Sequence, residues 1–177
     1  MNIGIDIDST LNNFCDEYWN FLEKNYNIIL DKSNYNNSNY LKNELGDIEY
    51  DEMINTFYNT DLFIEKYAKF FIKKLKRNNK IIIITARDYS SSDETIKWLK
   101  ENGILYDNIL FNAGNKGKAC INNNIDIMID DSPYNIYDLL KRRIKVLVYN
   151  RPYNQEFYEG ELLHRVNNWI DIYNYLK

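Results

Sequence analysis

The sequence predicts an α/β fold: a doubly wound parallel sheet of strand order 3-2-1-4-5, with a small, mainly helical cap inserted after the first strand. Three observations predict it. Five short apolar runs, mostly rich in Ile, Val or Leu without alternation, read as strands buried on both faces. Helical patterns separate them. The gap between the first two runs, residues 9–79, holds no strand pattern and is far longer than a single crossover helix needs.

The elements follow in order. Asn2–Asp8 is the first strand. Asn13–Lys24 carries Phe14, Tyr18, Phe21 and Leu22 at helical spacing. The Asn-rich stretch Ser33–Asn43 has no periodicity and is expected to be loop. Asp61–Arg77 places Ile64, Ala68, Phe71 and Leu75 on one helical face, with Glu65, Lys69, Lys73 and Lys76 on another. Lys80–Thr85 is the second strand. Ser91 with Glu94 has capping-box spacing, and Gly103 stops the helix that follows. Asn108–Asn112, Asp126–Asp130 and Lys145–Tyr149 are the remaining strands. Ser132 followed by Pro133 is a helix start, and Trp169, Ile170, Tyr173 and Leu176 form a last apolar stripe. Residues 1–13 and 76–177 are therefore expected to form the sheet core, and residues 14–75 the cap.

A chain of 177 residues suits one domain with an insertion. With 22 basic and 26 acidic residues, the net charge of −4 disfavours a polymeric nucleic-acid partner, which needs a basic face. The single histidine, His164, excludes a multi-histidine metal site and is assigned no catalytic part. Cys15 and Cys120 make neither a disulfide framework nor a zinc spacing, and read as reduced thiols of a cytoplasmic protein. No leader is visible, and the longest aliphatic run, Ile81–Ile84, is too short to span a bilayer. The excess of Asn, Ile, Lys and Tyr reads as A/T-rich coding.

Parallel sheets bind ligands at the carboxyl ends of their strands. Here those ends read Asp6-Ile7-Asp8-Ser9-Thr10, Thr85-Ala86-Arg87-Asp88 and Asp130-Asp131-Ser132. In the expected order the first and fourth strands are neighbours, so three or four carboxylates converge. Such a cluster repels itself unless a cation relieves it, and all-oxygen donors favour a hard ion such as Mg²⁺. The hydroxyl of Thr85 and a lysine ahead of the fourth strand would hold a phosphate.

With these residues the chain resembles the haloacid dehalogenase superfamily of phosphatases. GIDIDSTL, IIIITAR, Lys116 and IDIMIDDSP match its four motifs, and the nearest likeness is to the 5′(3′)-deoxyribonucleotidases and their bacterial relatives. Leu11 and Phe14 continue the first motif as in those enzymes, and Thr95–Trp98–Leu99, Tyr106-Asp107 and Arg151-Pro152-Tyr153-Asn154 resemble the bacterial members. The likeness covers residues 1–15 and about 80–155 and implies a Rossmann-like core with a cap. It implies Asp6 as the nucleophile that forms an aspartyl-phosphate, and Asp8 as general acid and base. Metal ligation is implied for Asp6, the Asp8 carbonyl, Asp130 and, directly or through water, Asp131. Thr85 and Lys116 would bind the phosphoryl oxygens.

Some assignments stay open at this level. Lys116 is favoured over Lys118 because it follows Asn115, a plausible N-cap. Phe14 either stacks on a base or begins the helix core. Arg87 either contacts phosphate or holds the acidic cluster. Among cap aromatics, Tyr18, Trp19, Tyr40, Phe57 and Tyr58 are further candidates for a nucleobase. Ser9 replaces the glycine usual after the second aspartate, and Ala86 stands where mammalian nucleotidases carry Ser. The expected activity is a Mg²⁺-dependent phosphomonoesterase acting on nucleoside monophosphates. The alternatives are a sugar phosphate as substrate or a non-catalytic relative.

Overall fold

A computed structural model describes residues 1–35, 37–58 and 62–177, without the side chains of Asn37, Ser38, Asn55 and Tyr58. The strands are β1 (Asn2–Ile5), β2 (Lys80–Ile84), β3 (Asn108–Leu110), β4 (Ile127–Asp130), β5 (Lys145–Tyr149) and β6 (Leu163–Val166). The helices are α1 (Phe14–Tyr26), α2 (Asn37–Leu45), α3 (Asp47–Tyr58), α4 (Ala68–Leu75), α5 (Ser92–Glu101), α6 (Lys116–Asn122), α7 (Pro133–Lys141) and α8 (Trp169–Leu176). All strand pairings are parallel, in the order β3-β2-β1-β4-β5-β6. The expected order thus holds through five strands and gains a sixth, β6, at the edge beside β5.

Alternate side chains of each strand feed opposite faces. Ile3, Ile5, Ile81, Ile83, Ile127, Ile129 and Leu147 pack against α4, α5 and α8. Ile82, Ile84, Met128, Val146 and Val148 pack against α6 and α7. Both sets are buried, which is why the sequence shows runs and not alternation. At Gly4 the neighbouring strand comes close: a Cβ there would lie 2.6 Å from Met128 Sδ. Glycine is what lets β4 present methionine at that level.

Between β1 and β2 the chain builds a separate apolar cluster from Tyr18, Trp19 and Leu22 of α1, Leu41 of α2, and Met53 and Phe57 of α3. Its two connections to the sheet run side by side. Asn13 N–H donates to the Phe63 carbonyl at 3.1 Å, and Glu65 N–H donates to the Leu11 carbonyl at 2.9 Å.

Local expectations need correction. Ser33–Asn43 is not all loop, because α2 begins at Asn37. Burial of Leu41 in the cap cluster outweighs the weak helix propensity of asparagine. The helix expected over Asp61–Arg77 is only Ala68–Leu75, since Tyr67 takes a left-handed φ of 69° and breaks it; Asp61 lies outside the described residues. Ser91 makes no side-chain cap; Asp88 accepts the Ser90 N–H instead. Gly103, with φ 67°, follows α5 as expected. No helix among the described residues is long and apolar enough to cross a membrane.

Candidate active site

The β1–β4 pairing sets the site. Asp6 N–H donates to the Ile129 carbonyl at 3.0 Å, extending the ladder one residue and fixing Asp6 beside Asp130 and Asp131. One carboxylate oxygen from each of Asp6, Asp130 and Asp131 lies within 4.8 Å of the others, and all three residues are buried. The Lys116 ammonium, 1% exposed, completes the cluster at 2.5 Å from Asp6 Oδ1 and 2.8 Å from Asp130 Oδ2. Asn115 caps α6 by accepting the Lys118 N–H at 3.0 Å, and this start aims Lys116 inward while Lys118 stays exposed.

Each carboxylate has a distinct set of partners. Asp130 accepts from Ser132 N–H at 2.9 Å and from Asn135 Nδ2 at 3.1 Å, besides Lys116. Asp131 accepts from Thr10 Oγ1 at 2.9 Å and from the Tyr153 hydroxyl. Asp8, on the loop, is gripped by Arg87 through Nε at 2.9 Å and Nη2 at 2.6 Å, and by Asn12 Nδ2 at 3.1 Å. Thr85, fully buried at the end of β2, accepts the Arg87 N–H at 3.2 Å.

The electrostatics favour a cation. Burial pushes the Asp6 carboxyl well above its ordinary value; Lys116 opposes this, and Asp130, Asp131 and Asp8 add to it. Burial, helped by Asp130, pushes Asp131 up to about 6. For Lys116, burial alone would lower the pKa, but Asp130 and Asp6 outweigh it and the ammonium is held above its usual range. One lysine does not neutralise three buried carboxylates. The donors of the cluster are all carboxylate oxygens, a set able to hold a divalent ion.

Above this floor opens a cavity of about 380 Å³. Asp6, Asp8, Lys116, Asp131, Ser132 and Asn135 form its polar end. Phe14, Tyr18 and Trp19 of α1, Tyr35, and Tyr50 of α3 form an aromatic wall, with Ile54 of α3 and Tyr153 beside it. Phe14 is both wall and packing residue: its ring stacks on Tyr18 at 6.1 Å and meets Phe57 edge-on at 5.2 Å. Phe57 itself is buried beneath the wall, Tyr40 is exposed and does not line the cavity, and the Tyr58 side chain lies outside the described residues. Thr85 and Arg87 do not line the cavity either.

Sequence reasoning passed over several residues that the fold brings here. Tyr35 reaches in from the segment between α1 and α2; its hydroxyl bonds Ser132 and its ring tilts on Tyr153 at 5.1 Å. Arg151, after β5, donates to the Ser9 carbonyl at 2.9 and 2.6 Å, to Glu65 at 2.5 Å and to Asp16 at 3.2 Å. It thereby clamps the loop in which Ser9 holds a left-handed φ of 62°, a conformation that only glycine adopts without steric cost. Arg151 and Tyr153 had a signal in the Arg-Pro-Tyr-Asn run, but no role was attached to it. Tyr35 had none. His164 sits on β6, stacked on Tyr175 and paired with Glu159, outside the cavity.

Comparison with known proteins agrees with this geometry. The model of the family "5' nucleotidase, deoxy (Pyrimidine), cytosolic type C protein" matches residues 1–177. YqfW of Bacillus subtilis is 30% identical over 179 residues, covering 97% of this chain and 91% of that protein. A 5′(3′)-deoxyribonucleotidase of Clostridium acetobutylicum is 30% identical over 147 residues, 80% of this chain and 79% of its own. Among solved structures, the haloacid dehalogenase-like hydrolase SP0104 of Streptococcus pneumoniae superposes with a TM-score of 0.70 at 13% identity, covering 99% of this chain and 98% of that one; it shares the fold. A full-length family match on a chain whose strand ends gather buried aspartates and one lysine leads to one assignment: this chain belongs to the type C 5′-nucleotidase family of the haloacid dehalogenase superfamily, and is a phosphoric monoester hydrolase.

Proposed function

We propose that the chain is a Mg²⁺-dependent nucleotidase that releases phosphate from nucleoside monophosphates, deoxy forms included. The carrying observation is a cavity in which a carboxylate–lysine floor meets an aromatic wall. The floor suits a phosphate and the wall suits a flat base, for which stacking is worth about 1–3 kcal/mol. The names of the family and of the clostridial relative support the same substrate class. The family description also supports placing the chain in the cytoplasm, in keeping with free Cys15 and Cys120.

In this reading the cap is the part of residues 14–75 that precedes the return to the sheet at residues 63–65, because α4 packs on the sheet with α5 and α8 and belongs to the core. Asp6 attacks phosphorus and carries the phosphoryl group. Asp8 gives a proton to the departing oxygen and later takes one from the water that hydrolyses the aspartyl-phosphate. Lys116 holds Asp6 in place and neutralises a phosphoryl oxygen. Thr85 supports the phosphate end from beneath, and Phe14 supplies a face for the base. Asp6, Asp130, Asp131 and the Asp8 carbonyl would hold Mg²⁺, which supplies charge neutralisation at the phosphate.

The test is phosphate release from nucleoside 5′- and 3′-monophosphates and from sugar phosphates, with and without Mg²⁺. Preference for nucleotides is expected. Faster turnover of a sugar phosphate overturns the substrate assignment and leaves the hydrolase chemistry standing.

A further inference from the structure

Arg87 uses its guanidinium on Asp8. The fork faces the carboxylate bidentately, Nε to Oδ2 at 2.9 Å and Nη2 to Oδ1 at 2.6 Å. Its remaining arm is fixed as well, Nη1 to Thr95 Oγ1 at 3.2 Å on α5. The backbone of Arg87 is pinned at both ends. Its N–H donates to Thr85 Oγ1, and its carbonyl accepts the Asn112 N–H at 2.9 Å. Asp8 lines the cavity, whereas Arg87 does not. The arginine therefore stands behind the carboxylate, seen from the substrate side.

Asp8 needs such a partner. It sits on a loop just past β1, and the next residue has a left-handed backbone. Its side chain is 28% exposed, so packing alone does not choose its rotamer. Asn12 Nδ2 adds one bond at 3.1 Å, and Asn12 Oδ1 accepts the Ser9 N–H at 3.0 Å, which orients the Asp8–Ser9 peptide. A planar fork anchored to two elements supplies what a single amide cannot: a fixed plane for the carboxylate.

We propose that Arg87 is a positioning residue that acts through Asp8, and is not a phosphate ligand. The proposal rests on the reading of Asp8 as the proton donor and acceptor. In the first half-reaction an Asp6 oxygen bonds to phosphorus. The bond from phosphorus to the leaving oxygen breaks, and that oxygen takes the electron pair together with the proton of Asp8. In the second half, water oxygen bonds to phosphorus and the bond to Asp6 breaks. The water proton passes to Asp8, which restores both aspartates. Both transfers need Asp8 aimed at the oxygen concerned, and a misplacement of about 1 Å can cost on the order of 100-fold. Leaving groups differ in this need. A nucleoside alkoxide departs only with a proton, while 4-nitrophenolate departs without one.

The test is a double-mutant cycle on the full-length enzyme with Mg²⁺. Turnover is measured for Arg87→Ala, Asp8→Asn and the double variant, on a nucleoside 5′-monophosphate and on 4-nitrophenyl phosphate. Arg87→Ala is expected to lower kcat for the nucleotide by roughly 100-fold and for the nitrophenyl ester by about tenfold less than that, with little change in KM. Added to Asp8→Asn, it is expected to cost nothing further, because its partner is already disabled. Arg87→Lys, which keeps the charge without the fork, is expected to fall between, and it carries the same cycle if the alanine variant does not fold. Equal losses of kcat/KM on both esters, since that ratio reports the leaving-group step and not the shared hydrolysis of the aspartyl-phosphate, a rise in KM with kcat kept, or an undiminished effect in the Asp8→Asn background overturns the proposal alone. An Asp8→Asn variant with wild-type kcat on both esters overturns the acid–base reading of Asp8 and the proposal with it.

Discussion

Lys116 Nζ stands 2.5 Å from Asp6 Oδ1, a fully buried ammonium against the carboxylate proposed to attack phosphorus. The same nitrogen reaches Asp130 at 2.8 Å, so one cation ties β1 to β4 from the start of α6. Removing it strands like charges in the interior. Lys116→Met is expected to destabilise the metal-free chain by about 3–5 kcal/mol and to abolish turnover. Chemical denaturation and phosphate release check the two halves. A metal-free variant as stable as wild type would show that the carboxylates relax without their lysine.

Asp6→Asn keeps the shape of the side chain and removes the attacking oxygen's charge. Turnover is expected to fall by roughly 10⁴-fold or more, the scale of nucleophile removal elsewhere, while the fold stays intact. Circular dichroism checks the fold, and a contamination-checked preparation checks the rate. Activity within about tenfold of wild type would remove Asp6 from the nucleophile's role.

Protons and metal compete for the same oxygens. Asp131 is raised from an ordinary 3.8 to about 6 by burial and Asp130, so the folded chain binds more protons than the unfolded chain between those values. Its contribution to stability is complete below the unfolded value and lost as pH rises through about 6. Asp6, raised by burial, acts in the same direction. A divalent ion at a hundredfold excess over its Kd should add about 2.7 kcal/mol, roughly 5–10 °C in Tm for a chain of this size. That gain is expected to be larger at neutral pH than near pH 5. Thermal unfolding with Mg²⁺ and with EDTA at both pH values decides it; equal gains would place the ion elsewhere.

Phe14 forms part of the cavity wall and also packs on Tyr18 and Phe57. Phe14→Ala is expected to lower kcat/KM for nucleoside monophosphates by about tenfold, in line with one lost stacking face. The same variant should lower Tm by a few degrees because of its packing role. A small phosphate ester without a base should lose less. Proportional losses on both substrates would leave Phe14 with the packing role alone.

The floor of the site was legible in the sequence and the wall only in part: Phe14, Tyr18 and Trp19 stood among the candidates, while Tyr35, Tyr50 and the neighbouring Ile54 did not. Asp6, Asp130 and Lys116 stand at ends of elements whose apolar runs and caps are local signals, and parallel pairing brings those ends together. The inward set of Lys116 follows from one asparagine cap. Tyr35 sits in a stretch without periodicity, and only the fold of the cap carries it to Ser132. Residues of α2 read as loop because asparagine obscures a helix whose buried anchor, among the described side chains, is Leu41. β6 escaped notice for a related reason. It has four residues, and two of them, His164 and Arg165, are polar, as an edge strand tolerates.

The paired connections at residues 11–13 and 63–65 bear on how this enzyme family diversifies. Because the chain leaves the sheet and comes back through neighbouring hydrogen-bonded positions, the sheet sees the intervening residues as a closed loop of arbitrary length. Loop-closure cost grows only logarithmically with length, so insertions there are cheap for the scaffold. New leaving-group pockets can thus be grafted above an unchanged set of aspartates, and selection can exchange one specificity for another without relearning the chemistry.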